Sequence, residues 1–103
     1  FCFPTHEENE GIALLEAMTA GKAVVVRDIE TFEWLDDGED CLKVSAAGAD
    51  AAGEIDAFAD ALRRLRDPDL RERLGSNAAA RSEAFSLDSI AERYRSLYER
   101  VTQ

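Results

Sequence analysis

Gly11-Ile12-Ala13-Leu14-Leu15-Glu16-Ala17-Met18-Thr19-Ala20-Gly21-Lys22-Ala23-Val24-Val25-Val26 is the stretch whose reading decides the fold of this 103-residue chain. Ile12 to Ala20 is a largely apolar run with one charge, Glu16, and it is long enough for a short helix. Gly21 ends it, because a residue without Cβ takes the left-handed backbone that closes a helix. Ala23 to Val26 then follow without polar alternation, the pattern of a strand buried on both faces of a parallel sheet. A helix leading into a doubly buried strand is the repeating unit of an α/β fold with helices on both faces.

Working outward, Phe1 to Phe3 is an apolar strand stub that ends at Pro4, so a strand is expected near 1–4. The loop Thr5-His6-Glu7-Glu8-Asn9-Glu10 follows it. Downstream, a short helix is expected in Glu30 to Leu35, a turn at Asp36-Asp37-Gly38 and a third strand near 41–44. Trp34 reads as core rather than as a ligand platform. Phe58, Ala59, Leu62 and Leu65 recur at helical spacing after Ile55, which reads as packing. Asp67 can cap a further helix with Pro68 at its first position. Leu70 and Leu74 extend the apolar face, and Ser86 caps a last helix with the stripe Ile90, Tyr94, Leu97, Tyr98 and Val101. The chain therefore ends in a run of helices, and residues 1–103 form one unit without repeat or linker.

Composition bounds the function. With 46% hydrophobic and 33% charged residues the chain is too apolar for disorder and too short for two domains. A formal charge of −10, from 22 acidic against 12 basic residues, argues against binding nucleic acid or anionic lipid electrostatically. No run approaches the roughly 20 apolar residues that cross a bilayer. The expected location is cytoplasmic, with the full-length protein peripheral to a membrane. Two lysines against ten arginines read as a salt-adapted surface, with an acidic partner-binding face as the rival. Cys2 and Cys41 lie in apolar strand surroundings and read as buried free thiols. No nucleophile is spaced around His6, the only histidine, so neither a triad nor a metal cluster can be argued.

The junction at Gly11 carries the chemistry. Glycine lets the backbone approach a ligand, and the unpaired N–H groups of the helix start suit a phosphate. At about 1.5 Å of rise per residue, Glu16 lies roughly 7 Å along the axis, while Glu8 precedes the helix. A diphosphate there has a carboxylate on either side, which suits a nucleoside diphosphate sugar. Glu16 would accept from ribose hydroxyls and Glu8 from the transferred sugar. Glu7 and Glu10 read as a solvated helix start favoured by its dipole. His6 is a solvated loop residue by default, with a place beside the phosphates as its functional option. Arg27, at the carboxyl end of the Val strand, is the cation best placed near an anion, and pairing with Asp28 or Asp36 is its structural alternative.

Glu8, seven residues, Glu16-Ala17-Met18, then Gly21 and Ala23 to Val26, resembles the retaining, metal-independent glycosyltransferases of GT-B fold. Arg27-Asp28-Ile29, Asp37-Gly38, Leu42-Lys43-Val44 and Leu74-Gly75-Ser76-Asn77-Ala78 before Arg81 continue the likeness. Asn9, Glu10 and Cys41 depart from its commonest members. Phe3-Pro4-Thr5, Glu7 to Ile12 and Val26 to Ile29 are similar to the branch that glucosylates diacylglycerol. The resemblance implies the later part of the C-terminal, Rossmann-like domain, with Glu8 at the donor sugar and Glu16 at the ribose. Backbone around Gly11 and Ile12 would hold the phosphates, and no metal or other cofactor is implied. It further implies glucose transfer from uridine diphosphate glucose to a lipid or saccharide acceptor. That acceptor would be bound mainly by an N-terminal domain absent here, and the usual Arg and Lys of the phosphate site would lie upstream of this stretch. The isolated chain would then bind without catalysing, and part of the terminal stripe would face the missing domain. Readings from other classes are a stand-alone nucleotide-binding or regulatory module and an acidic protein-interaction domain.

Overall fold

The structure, a computed structural model, describes residues 1–7 and 11–102. Three parallel strands, β1 (Cys2–Phe3), β2 (Val25–Arg27) and β3 (Leu42–Val44), form a sheet in the order β1-β2-β3. Cys2 pairs with Val25, and Val25 in turn with Leu42. Helix α1 (Ile12–Thr19) joins the first two strands, and α2 (Ala51–Arg64), α3 (Pro68–Ser82) and α4 (Leu87–Val101) follow the third. The expected α/β class and the closing run of helices are both present. Glu30–Phe32 forms one 3₁₀ turn rather than a helix reaching Leu35.

Strand periodicity divides the core in two. Val25, Leu42 and Val44 face Phe58 and Ala61 of α2 and Leu65 at its C-cap. Val24 and Val26 point the other way, onto Leu14 and Met18 of α1 together with Phe32, Leu35 and Cys41. Each fully buried aliphatic side chain contributes roughly 1.5–3 kcal/mol. Helix α3 serves both cores, with Leu74 on the α2 side and Ala78 on the α1 side. Trp34 is half-buried against the α1-side core, its ring 4.8 Å from Phe85.

The run Leu74 to Arg81 owes its composition to this double duty. Gly75 is buried against the turn at Gly21, and a Cβ there would stand 2.3 Å from the Gly21 carbonyl oxygen. Gly21 itself has φ +72°, as its helix-ending role requires. From the same helix Arg73 donates to the Gly38 carbonyl at 3.0 Å and Asn77 to the Glu39 carbonyl at 2.8 Å. Arg81 donates to the Trp34 carbonyl and faces the carboxylates of Asp36 and Asp40 at 3.5 and 3.6 Å. Asp40, nearly fully buried, accepts from the Asp36 N–H at 2.8 Å, so the 36–40 turn is pinned from within and by α3.

The caps follow the sequence. Asp50 accepts from Gly53 N–H, Asp67 from Asp69 N–H ahead of Pro68, and Ser86 from Ser89 N–H. The apolar reading of α2 needs correction: Phe58 is buried, but Ile55 is 68% and Leu62 44% exposed beside β1, one of the two edge strands. Helix α4 buries none of its residues, and the whole of its stripe, Ile90, Tyr94, Leu97, Tyr98 and Val101, is exposed, where exposure of only part was expected. Its protrusion lifts the radius of gyration to 16.1 Å, against about 13 Å for a compact chain of this length.

Candidate functional site

All three strands are parallel, so the loops after them gather at one edge of the sheet, where open α/β folds bind ligands. Gly11, buried and left-handed (φ 81°, ψ 54°), turns the chain into α1. Its carbonyl accepts the Leu15 N–H at 3.1 Å, which leaves the N–H groups of Ile12, Ala13 and Leu14 outside the helical ladder. Helix α1 is not apolar all round in its setting. Leu14 and Met18 face the sheet, while Ile12, Ala13, Glu16, Thr19 and Ala20 share an exposed face. Glu16 is thus a solvated carboxylate among small and apolar neighbours, and among the described residues it forms no ion pair. Glu8, Asn9 and Glu10 lie outside the described residues, and with them the sugar contact assigned to Glu8.

The structure brings His6 and Arg27 together. Both line a cleft of about 260 Å³ at the carboxyl ends of the strands, with Asp28, the 45–49 loop and Glu54. Gly11, Ile12 and Glu16 do not line it, so the described candidates fall into two groups: His6 and Arg27 at the cleft, and the other three along α1. Arg27 does not pair with Asp28 or Asp36. Its guanidinium meets Glu54 at 3.3 Å, reaches the Pro4 carbonyl at 3.4 Å from two nitrogens, and sits 5.2 Å from the Phe58 ring centre. Asp36 pairs with Arg81 instead. Glu54 and the 45–49 loop were missed in the sequence. The usable signal was topological: the turn after the third strand must emerge at the same edge as the turns after the first two.

Both cysteines are free. Burial, then the neighbouring Asp40 charge, pushes the Cys41 thiol up to about 12, which makes it a packing group rather than a nucleophile. Burial also raises Cys2, which is only half-buried. Among the described residues no cluster of His, Cys, Asp and Glu could hold a metal ion, and no helix is long and apolar enough to cross a membrane.

The arrangement is a parallel α/β sheet with a glycine-led helix start and a mixed-charge cleft at its carboxyl edge. Residues 1–81 match the family described as Glycosyl transferases group 1, and the chain belongs to that family. It is 34% identical over 103 residues to N,N'-diacetylbacillosaminyl-diphospho-undecaprenol alpha-1,3-N-acetylgalactosaminyltransferase of Campylobacter jejuni subsp. jejuni serotype O:2, a match covering 98% of this chain and 26% of that protein. Among solved structures, sucrose-phosphate synthase from Thermosynechococcus elongatus is similar with a TM-score of 0.78 and 27% identity, over 98% of this chain and 25% of that one. The chain spans about a quarter of the length of these relatives.

Proposed function

We propose that this chain is the donor-binding part of a retaining, metal-independent glycosyltransferase that moves a hexosyl group from a nucleoside diphosphate sugar to a lipid or saccharide acceptor. The observation that carries the reading is the start of α1: three N–H groups outside the helical ladder behind a left-handed glycine, with Glu16 a turn further on the exposed face of the same helix. A diphosphate at that N-terminus is met by donors and by the positive end of the helix dipole. As the bond from sugar to diphosphate breaks, negative charge grows on the departing oxygen, and donors already aimed at it stabilise that charge without reorganisation. Glu16 supplies the acceptor for ribose hydroxyls and Glu8 that for hydroxyls of the sugar.

Glucose from uridine diphosphate glucose is the donor favoured by the residue pattern. The Campylobacter relative, named for N-acetylgalactosamine transfer onto a diphospho-undecaprenol-linked sugar, supports a lipid-linked acceptor and makes the N-acetylated hexose the competing donor. The test is a titration of the 103-residue chain with each of the two uridine diphosphate sugars, followed by amide resonances. Weak binding that moves Gly11 to Glu16 is expected. A flat response at millimolar concentration, with no transfer by the natural gene product, refutes the reading. Movement confined to α4 refutes the site. Transfer by the gene product that a chelator abolishes refutes metal independence.

A further inference from the structure

Arg27 is the one sequence-chosen cation at the cleft, and its surroundings show a different use for it. It is the last residue of β2, its side chain is 11% exposed, and its contacts reach two other elements. Glu54 in the first turn of α2 takes Nη1 at 3.3 Å, and the Phe58 ring of the same helix lies beneath the guanidinium. Nε and Nη2 converge on the Pro4 carbonyl at the exit of β1. A guanidinium neutralised by a carboxylate and covered by a ring has little charge to offer a phosphate, which would have to displace Glu54. Pro4 has a locked φ and no N–H, so its carbonyl is the group by which the exit of β1 can be tied down. The next turn is short and closed, with Thr5 Oγ1 donating to the Glu7 carbonyl at 2.7 Å. His6 stands on that turn and lines the same cleft as Arg27 and Glu54.

We propose that Arg27 is a positioning residue. Held by Glu54 and Phe58, it fixes the Pro4 carbonyl and so the place of the 5–7 turn, which precedes the Gly11 helix start in the chain, and Glu54 acts through it. This rests on the glycosyltransferase reading. It differs from a phosphate-ligand role because Glu54, which would repel a phosphate, becomes necessary.

The test compares Arg27→Lys, Glu54→Gln and the double variant, first by amide resonances and amide hydrogen exchange of the chain and then by donor kinetics of the natural gene product. Lysine keeps the charge but loses the fork that spans Pro4 and Glu54. Shifted and broadened amide resonances are expected at Thr5, His6 and Glu7 in all three variants, with exchange protection in β3 and α3 unchanged. Both single variants should raise the KM for the nucleotide sugar on the order of 3- to 10-fold, the double variant no more than Arg27→Lys alone. If Glu54→Gln leaves donor affinity unchanged or tightens it while Arg27→Lys weakens it, Arg27 is a direct anion ligand and the proposal falls. It also falls if exchange accelerates uniformly, which marks a purely global loss of stability. Local loosening at 5–7 in a protein that uses no nucleotide sugar would uphold the positioning role and refute the glycosyltransferase reading alone.

Discussion

Gly75→Ala tests the packing that joins the two cores. In a free helix this change stabilises by about 1 kcal/mol, since alanine is the better helix former. Here the new methyl carbon would lie 2.3 Å from the Gly21 carbonyl oxygen and 3.2 Å from its carbon, where ordinary contact begins at 3.4 Å. The obstacle is backbone in a left-handed turn, so no rotamer change relieves it, and α3 and the turn must part by about 1 Å. Overpacking of this kind costs about 1–3 kcal/mol, and an unyielding neighbour places it towards the upper end. Separation also loosens Leu74 and Ala78, both fully buried. The clash should therefore outweigh the helix gain by about 1–2 kcal/mol, which lowers the midpoint by roughly 5–15 °C for a domain of about 100 residues. Thermal unfolding followed by far-ultraviolet circular dichroism measures it. Ser76→Ala, one residue along and exposed, is the control and should change little. A Gly75→Ala midpoint equal to or above wild type would refute the close approach of α3 to the Gly21 turn.

In the natural gene product, Glu8→Gln should mainly lower turnover. Glu16→Gln should mainly raise the donor concentration required, because a ribose contact is made alike in ground and transition states; wild-type kinetics in both would end that assignment. Cys41 should resist iodoacetamide in the folded chain at about pH 8, with half-buried Cys2 alkylated first. Its unfolded thiol ionises near 9 and its folded thiol near 12, so stability should fall as pH rises between those values; equal labelling of both thiols would contradict the burial. The melting temperature should rise with potassium chloride as the charge of −10 is screened over a Debye length of about 10 Å at 0.1 M. A midpoint constant up to molar chloride would show that the ten arginines already balance the carboxylates.

The sequence by itself determined what depends on neighbours along the chain. Val24 to Val26 announced a doubly buried strand, and the structure places alternate valines in opposite cores. Gly21 announced the left-handed backbone that closes a helix, and it has a positive φ, as does Gly11. Asp67-Pro68 and Ser86 announced helix starts because a cap bonds within three residues of itself. What only the tertiary structure decided depends on residues far apart in sequence. Arg27 had local candidates in Asp28 and Asp36, yet its partner is Glu54, 27 residues on, because α2 crosses the sheet over the end of β2. The run around Glu16 is almost wholly apolar, but a helix of eight residues turns only one face to the sheet, and Glu16 is on the other. Nothing in the neighbouring residues says why position 75 is a glycine; the Gly21 turn laid against α3 does. Periodicity, caps and positive φ are properties of a few consecutive residues, whereas ion-pair partners, the buried side of a short helix and the distance between two backbones are set only when whole elements dock.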